Sequence, residues 1–63
     1  MMWNFLVEIT TEGSDLEGEE FFVQAPDIHK ADEIIAQYFE DENYCYHGCF
    51  TDEEAEMMGL DTY

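Results

Sequence analysis

Cys45, His47 and Cys49 stand at alternate positions within Phe39 to Glu56, FEDENYCYHGCFTDEEAE, between two blocks of carboxylates. Thiolate sulfur and imidazole nitrogen are ligands that zinc accepts, so a C-x-H-x-C spacing raises the question of a metal or redox centre. In an extended strand, however, the two cysteines are separated by about 13 Å at roughly 3.3 Å per residue. One zinc at about 2.3 Å from each sulfur does not span that gap. A disulfide also needs its α-carbons within about 7 Å. The spacing therefore predicts ordinary strand positions, with no metal, no cofactor and no disulfide. The alternative is a small metal-binding accessory domain that uses Cys45, His47 and Cys49.

Little else in the chain points to catalysis. Ser14 is the only serine, and it lies in a glycine-containing connection. There is no Gly-rich phosphate loop and no Ser-His-Asp grouping, and DLEGEE has acids at alternate positions without the rest of a calcium loop. A non-enzymatic protein is expected.

The carboxylates are the larger chemical feature. The 63 residues include 17 Asp or Glu and a single basic side chain, Lys30, for a formal net charge of -16. Solubility asks for a magnitude of roughly 2 to 8 on a small domain, so the excess needs another reason. One lysine does not neutralise a phosphate backbone, which excludes direct nucleic-acid binding. The charge instead matches that of the nucleic acid itself. A globule of this length is about 27 Å across, and about 27 Å of duplex DNA carries on the order of 16 charges.

Placement separates acids that support helices from acids that do not. Asp32 and Glu33, near the start of a first helix, and Asp52, Glu53 and Glu54, in a second, favour the helix macrodipole. Glu40, Asp41 and Glu42 follow the end of the first helix, where partial negative charge already accumulates and a cation would be preferred. Glu12, Asp15, Glu17, Glu19 and Glu20 crowd one connection with no cation beside them. The predicted partner-binding residues are these two blocks together with Asp52, Glu53 and Glu56. Tyr44, Tyr46, Tyr63, Met57 and Met58 are candidates for an apolar or aromatic anchor among them.

The elements that position these groups follow from periodicity. WNFLVEIT, residues 3–10, alternates, with Trp3, Phe5, Val7 and Ile9 on one face and Asn4, Leu6, Glu8 and Thr10 on the other. EEFFVQA, residues 19–25, predicts a second strand ending before Pro26. Asp27 is a helix cap, and Ala31, Ile34, Ile35, Tyr38 and Phe39 form the apolar stripe of a helix over 28–40. NYCYHGCF, residues 43–50, predicts a third strand with Tyr44, Tyr46, Gly48 and Phe50 on one side and Cys45, His47 and Cys49 on the other. Thr51 and Glu54 form a capping box for a short last helix that ends at Gly59.

The expected fold is thus α+β in the order β-β-α-β-α over a single domain, residues 1–63. Its three-stranded, mostly antiparallel sheet has strand order 2-1-3, with the main helix on one face and a short C-terminal helix. An edge strand, or the face bearing Leu6, would be available for a homodimer. The start MMWNFLVEITTEG lacks a basic segment followed by an apolar one, and no run approaches a membrane span. A cytoplasmic protein with free thiols and no membrane partner is expected.

In size, charge and its blocks TEGSDLEGEE, FEDEN and TDEEAE, the chain resembles the DNA-mimic inhibitors of phages and mobile elements: anti-restriction proteins, uracil-DNA glycosylase inhibitors and anti-CRISPR proteins. That resemblance implies a non-enzymatic inhibitor in the host cytoplasm, whose carboxylates occupy the cationic groove of a basic DNA- or RNA-handling protein. An anti-CRISPR protein that blocks target DNA binding ranks first within that class. The rival expectation is an acidic protein-protein adaptor or regulator of a basic partner.

Overall fold

Apolar alternation makes β1 (Trp3–Ile9) the centre of the sheet in the computed structural model, which describes residues 1–63. β2 (Glu20–Ala25) and β3 (Tyr44–Phe50) flank it, both antiparallel, in the order β2-β1-β3. The main helix α1 (Ile28–Tyr38) connects β2 to β3, and α2 (Asp52–Met58) follows β3. This is the expected α+β order. The radius of gyration is 11.1 Å, and the principal extents are 33 × 23 × 15 Å.

Local signals set the helix ends. Asp27 accepts a hydrogen bond from the Lys30 backbone N–H at 2.9 Å and so occupies one orphan donor of α1. Thr51 and Glu54 form the reciprocal capping box of α2, and Gly59 ends it at φ 70, where a side chain would be strained. α1 stops at Tyr38, two residues before the expected Glu40, because Phe39 caps it and Asp41 turns the chain at φ 71. Asp is one of the few residues with a side chain that enters this left-handed region readily.

The sheet is covered on both faces. On one, Val7, Ile9, Phe21, Val23 and Ala25 pack against Ala31 and Ile35 of α1. On the other, Leu6 and Phe22 pack against Ala55 of α2, with Phe50 and Leu60 at the margin. Phe22, Ile9, Ile35, Val7 and Val23 are the largest fully buried side chains, each contributing about 1.5–3 kcal/mol. Tyr38, expected in the α1 stripe, is 62% exposed. α2 packs over Leu6 on that face. The outer edge of β2 is also covered, because Phe22 N–H donates to Asp61 O and Tyr63 N–H to Phe22 O, both at 2.8 Å. The free edge belongs to β3.

β3 departs from the expected pattern. Leu6 pairs with Gly48 but Val7 pairs with Tyr46, leaving His47 as an inserted residue. Such a bulge moves everything beyond it to the opposite face. Tyr44, Tyr46 and Cys49 therefore share the α1 face with Ile9, Val7 and Phe5, whereas Cys45, Gly48 and Phe50 share the α2 face with Glu8, Leu6 and Asn4. The strict alternation of Tyr44, Tyr46, Gly48 and Phe50 against Cys45, His47 and Cys49 is thus replaced. Gly48 carries the kink at φ 131. A Cβ there would meet only the Phe50 ring at 3.6 Å, so the demand is conformational rather than steric.

Asp32 also differs from its expected role. It lies beyond the first turn of α1 and accepts hydrogen bonds from the hydroxyls of Tyr44, at 2.8 Å, and Tyr46. One carboxylate oxygen thereby ties the helix to β3. Burial, then the Asp32 hydrogen bond and charge, raise both tyrosines above the ordinary phenol range.

Gly48→Ala is expected to lower stability by about 1–3 kcal/mol in a urea titration, with the cost arising from the backbone alone. The tyrosine shifts have a defined sign: the unfolded phenols ionise near 10, before the folded ones do. Their contribution is therefore fully present below about pH 10 and is lost as pH rises above it. Following phenolate absorbance against pH should reveal late-ionising tyrosines that move toward the ordinary range in Asp32→Asn.

Candidate functional site

β1 runs toward the same end of the sheet at which β2 and β3 begin and α1 finishes. The β1–β2 connection and the α1–β3 connection therefore meet there. Thr10 N–H donates to Asn43 O at 2.8 Å, Asn43 N–H to Thr11 Oγ1 at 2.6 Å, and Ser14 Oγ–H to Glu42 Oε1 at 2.7 Å. Glu12, Asp15, Glu17, Glu19 and Glu20 are thereby joined to Glu40, Asp41 and Glu42, eight carboxylates at one end of the molecule. All except Glu42 are exposed.

The longer connection is ordered by its own hydrogen bonds. Ser14 N–H donates to Thr11 O, Glu17 N–H to Ser14 O, Glu19 N–H to Leu16 O, and Gly18 N–H to Ile9 O. Ser14 Oγ also accepts from Leu16 N–H at 3.1 Å, and Glu17 Oε1 from Gly13 N–H at 3.2 Å. The acids project from a folded turn whose shape is in place before any partner arrives.

No lysine or arginine relieves this end. Lys30 lies near the opposite end of α1 and pairs with Glu33 at 3.3 Å. Ten helical or near-helical positions separate it from Glu40, a span of about 15 Å. That exceeds the ~8 Å screening length at physiological salt.

The predicted acids of α2 belong elsewhere. Asp52 lies beside the start of β1 and accepts from Asn4 Nδ2 at 2.7 Å and Gln24 Nε2 at 3.1 Å. It satisfies the one buried polar side chain, Asn4, which is 2% exposed. Asp52, Glu53 and Glu54 also fill the first turn of α2, as the macrodipole favours. Of the three α2 residues assigned to partner binding, Asp52 thus works within the fold, while Glu53 and Glu56 stay exposed on a helix that starts at the opposite end of the sheet. Tyr44 and Tyr46 are held by Asp32, and Tyr63 packs on Phe21, Phe39 and Tyr38. Among the anchor candidates Met57 is the most open, at 88% exposed.

A second constellation lies on the α2 side of the sheet, at the acidic end. His47 Nε2 donates to Glu8 Oε1 at 2.6 Å and stands 3.5 Å from Cys45 Sγ. The three donor atoms lie within 4.8 Å of one another. Cys49, the third member of the alternative metal set with Cys45 and His47, is on the other face beside Phe5, and Glu8 takes its place. Both cysteines are free thiols. Glu20 sits directly across from Glu8 on β2, a like-charge pairing that opposes strand association. The signal for Glu8 was its position as the polar residue of β1 nearest that end; linking it to Cys45 required the register.

The surface depressions lie apart from both features. One is lined by Met1, Met2, Trp3 and neighbours on Gln24 and α2, the other by α2 and the tail, and neither reaches Cys45 or His47. No helix is long and apolar enough to cross a membrane. Compared with protein families, curated proteins and solved structures, the chain matches none. Its functional reading rests on its own chemistry.

Because Glu40 and Asp41 follow the C-terminal end of α1 without a partner in the fold, Glu40→Gln with Asp41→Asn should raise stability by about 0.3–1 kcal/mol. Glu42→Gln should not share that gain, since Glu42 accepts from Ser14. Thermal or urea unfolding of the two variants side by side distinguishes these outcomes.

Proposed function

We propose that the chain is a non-enzymatic inhibitor that presents its carboxylates to the cationic groove of a DNA- or RNA-handling protein in place of phosphate. The observation that carries this reading is the acidic end itself. Two segments that carry eight acids, separated in the chain by β2 and α1, are hydrogen-bonded to one another, and no lysine or arginine neutralises them. Each exposed carboxylate is a ready acceptor for the charge-assisted, often bidentate bonds that Arg makes with phosphate. With a net charge of -16 over a longest extent of 33 Å, the mean density is about one charge per 2 Å, against one per ~1.7 Å of duplex DNA.

The physical consequence is steering. A single-sign surface raises association rates by about 10 to 10³-fold, and that gain falls with salt. Isolated rim pairs contribute little affinity, so an anchor such as Met57 or the half-exposed Tyr63 completes the interface. Within the class, the target-DNA channel of an RNA-guided nuclease is the first candidate, ahead of restriction enzymes and uracil-DNA glycosylase.

The test is capture from a host extract on immobilised chain at low salt, elution by a salt gradient, and a DNA-binding assay on each captured protein. Nucleic-acid-binding proteins should dominate the eluate, and saturating chain should abolish their DNA affinity. Neutralising Glu12, Asp15, Glu17 and Glu40 to amides should slow association at least ~10-fold at low salt and flatten its salt dependence. A captured target that keeps its full DNA affinity while saturated contradicts mimicry and favours an acidic adaptor for a basic partner.

A further inference from the structure

We infer that Glu8, Cys45 and His47 form a zinc(II) site, with three protein ligands and a fourth position open to solvent. This goes beyond phosphate mimicry and stands without it. The donor set is one thiolate sulfur, one imidazole nitrogen and one carboxylate oxygen. Magnesium and calcium favour oxygen alone, whereas zinc takes all three donor types in tetrahedral sites.

The distances fit. Tetrahedral zinc at ordinary bond lengths separates its donors by roughly 3.4–3.6 Å. Cys45 Sγ and His47 Nε2 are 3.5 Å apart. His47 Nε2 and Glu8 Oε1, at 2.6 Å, are separated by a proton rather than a metal. Zinc needs that pair opened by about 0.8 Å, at a Glu8 side chain that is 34% exposed.

The backbone supplies the rigidity. Glu8 and Cys45 are direct cross-strand partners, and the inserted His47 brings its ring to the same cluster. Bulges re-aim side chains in this way beside functional sites. Ligands carried on hydrogen-bonded strands hold their geometry better than ligands on loops.

The arrangement fits a metal better than a nucleophilic relay. In a Cys-His-carboxylate relay the two partners engage different ring nitrogens, so that a proton passes through the imidazole. Here both Glu8 and Cys45 meet Nε2. With both partners at one nitrogen, no path for a proton runs through the ring from Cys45 to Glu8. Zinc resolves this: the thiol proton leaves to solvent, the imidazole proton moves to Nδ1, and bonds form from Sγ, Nε2 and Oε1 to the metal. No electron is transferred. Glu20 across from Glu8, and the acidic loops beyond, add negative potential that draws a divalent cation to this end.

The 63-residue chain, stripped with chelator and kept reduced, is titrated with cobalt(II) and then zinc(II) in the presence of millimolar magnesium. One equivalent of cobalt should produce a near-ultraviolet sulfur-to-cobalt charge-transfer band and tetrahedral visible bands, both removed by one equivalent of zinc. Cys45→Ser and His47→Ala should each weaken zinc binding by at least ~10–100-fold, and Glu8→Gln should weaken it less. Cys49→Ser should leave affinity and spectrum unchanged. The wild-type spectrum is informative even if a variant misfolds. No charge-transfer band at one equivalent, a band that survives Cys45→Ser or disappears in Cys49→Ser, one metal per two chains, or displacement of zinc by magnesium would each overturn the site.

Discussion

A one-residue insertion in an edge strand organises this molecule. β3 meets β1 in two registers, before and after His47, and that slip divides the aromatic residues of β3 between two cores. Its first half turns Tyr44 and Tyr46 toward α1, where both hydroxyls meet Asp32; its second half turns Phe50 toward Phe22 and α2. A strand of strict period two would have sent all three aromatics to one helix and left the other face of β3 polar. Gly48 makes the slip tolerable, since its backbone takes a conformation that side chains resist.

The same slip bears on the chemistry. It separates Cys45 from Cys49 by the thickness of the sheet, ending any partnership between the thiols, and leaves His47 with Glu8 and Cys45. Packing and donor geometry are two consequences of one backbone irregularity. β3 also keeps the free edge, because the tail from Asp61 to Tyr63 covers β2.

Charge imposes the opposing constraint. Seventeen acids on so small a chain disfavour compaction, and the fold answers them differently by location. Asp27, Asp52 and Glu54 cap helices or satisfy Asn4, and Asp32 clamps a helix to the sheet. Glu12, Asp15, Glu17, Glu19, Glu20, Glu40 and Asp41 have no such employment beyond the turn bond that Glu17 accepts. Concentrated at one end, they are the largest group of charges that folding does not explain.

Much of the architecture was legible in local patterns. The alternation of Phe5, Val7 and Ile9, the Asp27 cap, the Thr51–Glu54 box and Gly59 each act within a few residues, so the chain alone determines them. The excess of carboxylates over a single lysine is likewise a property of composition. Tertiary structure alone decided which acids stand together, because Glu42 and Ser14 are 28 positions apart and meet only when α1 folds back along the sheet. It also decided that Glu8, not Cys49, joins Cys45 and His47, since a single-residue slip depends on how two faces fill with side chains and leaves no trace in the periodicity of β3 itself.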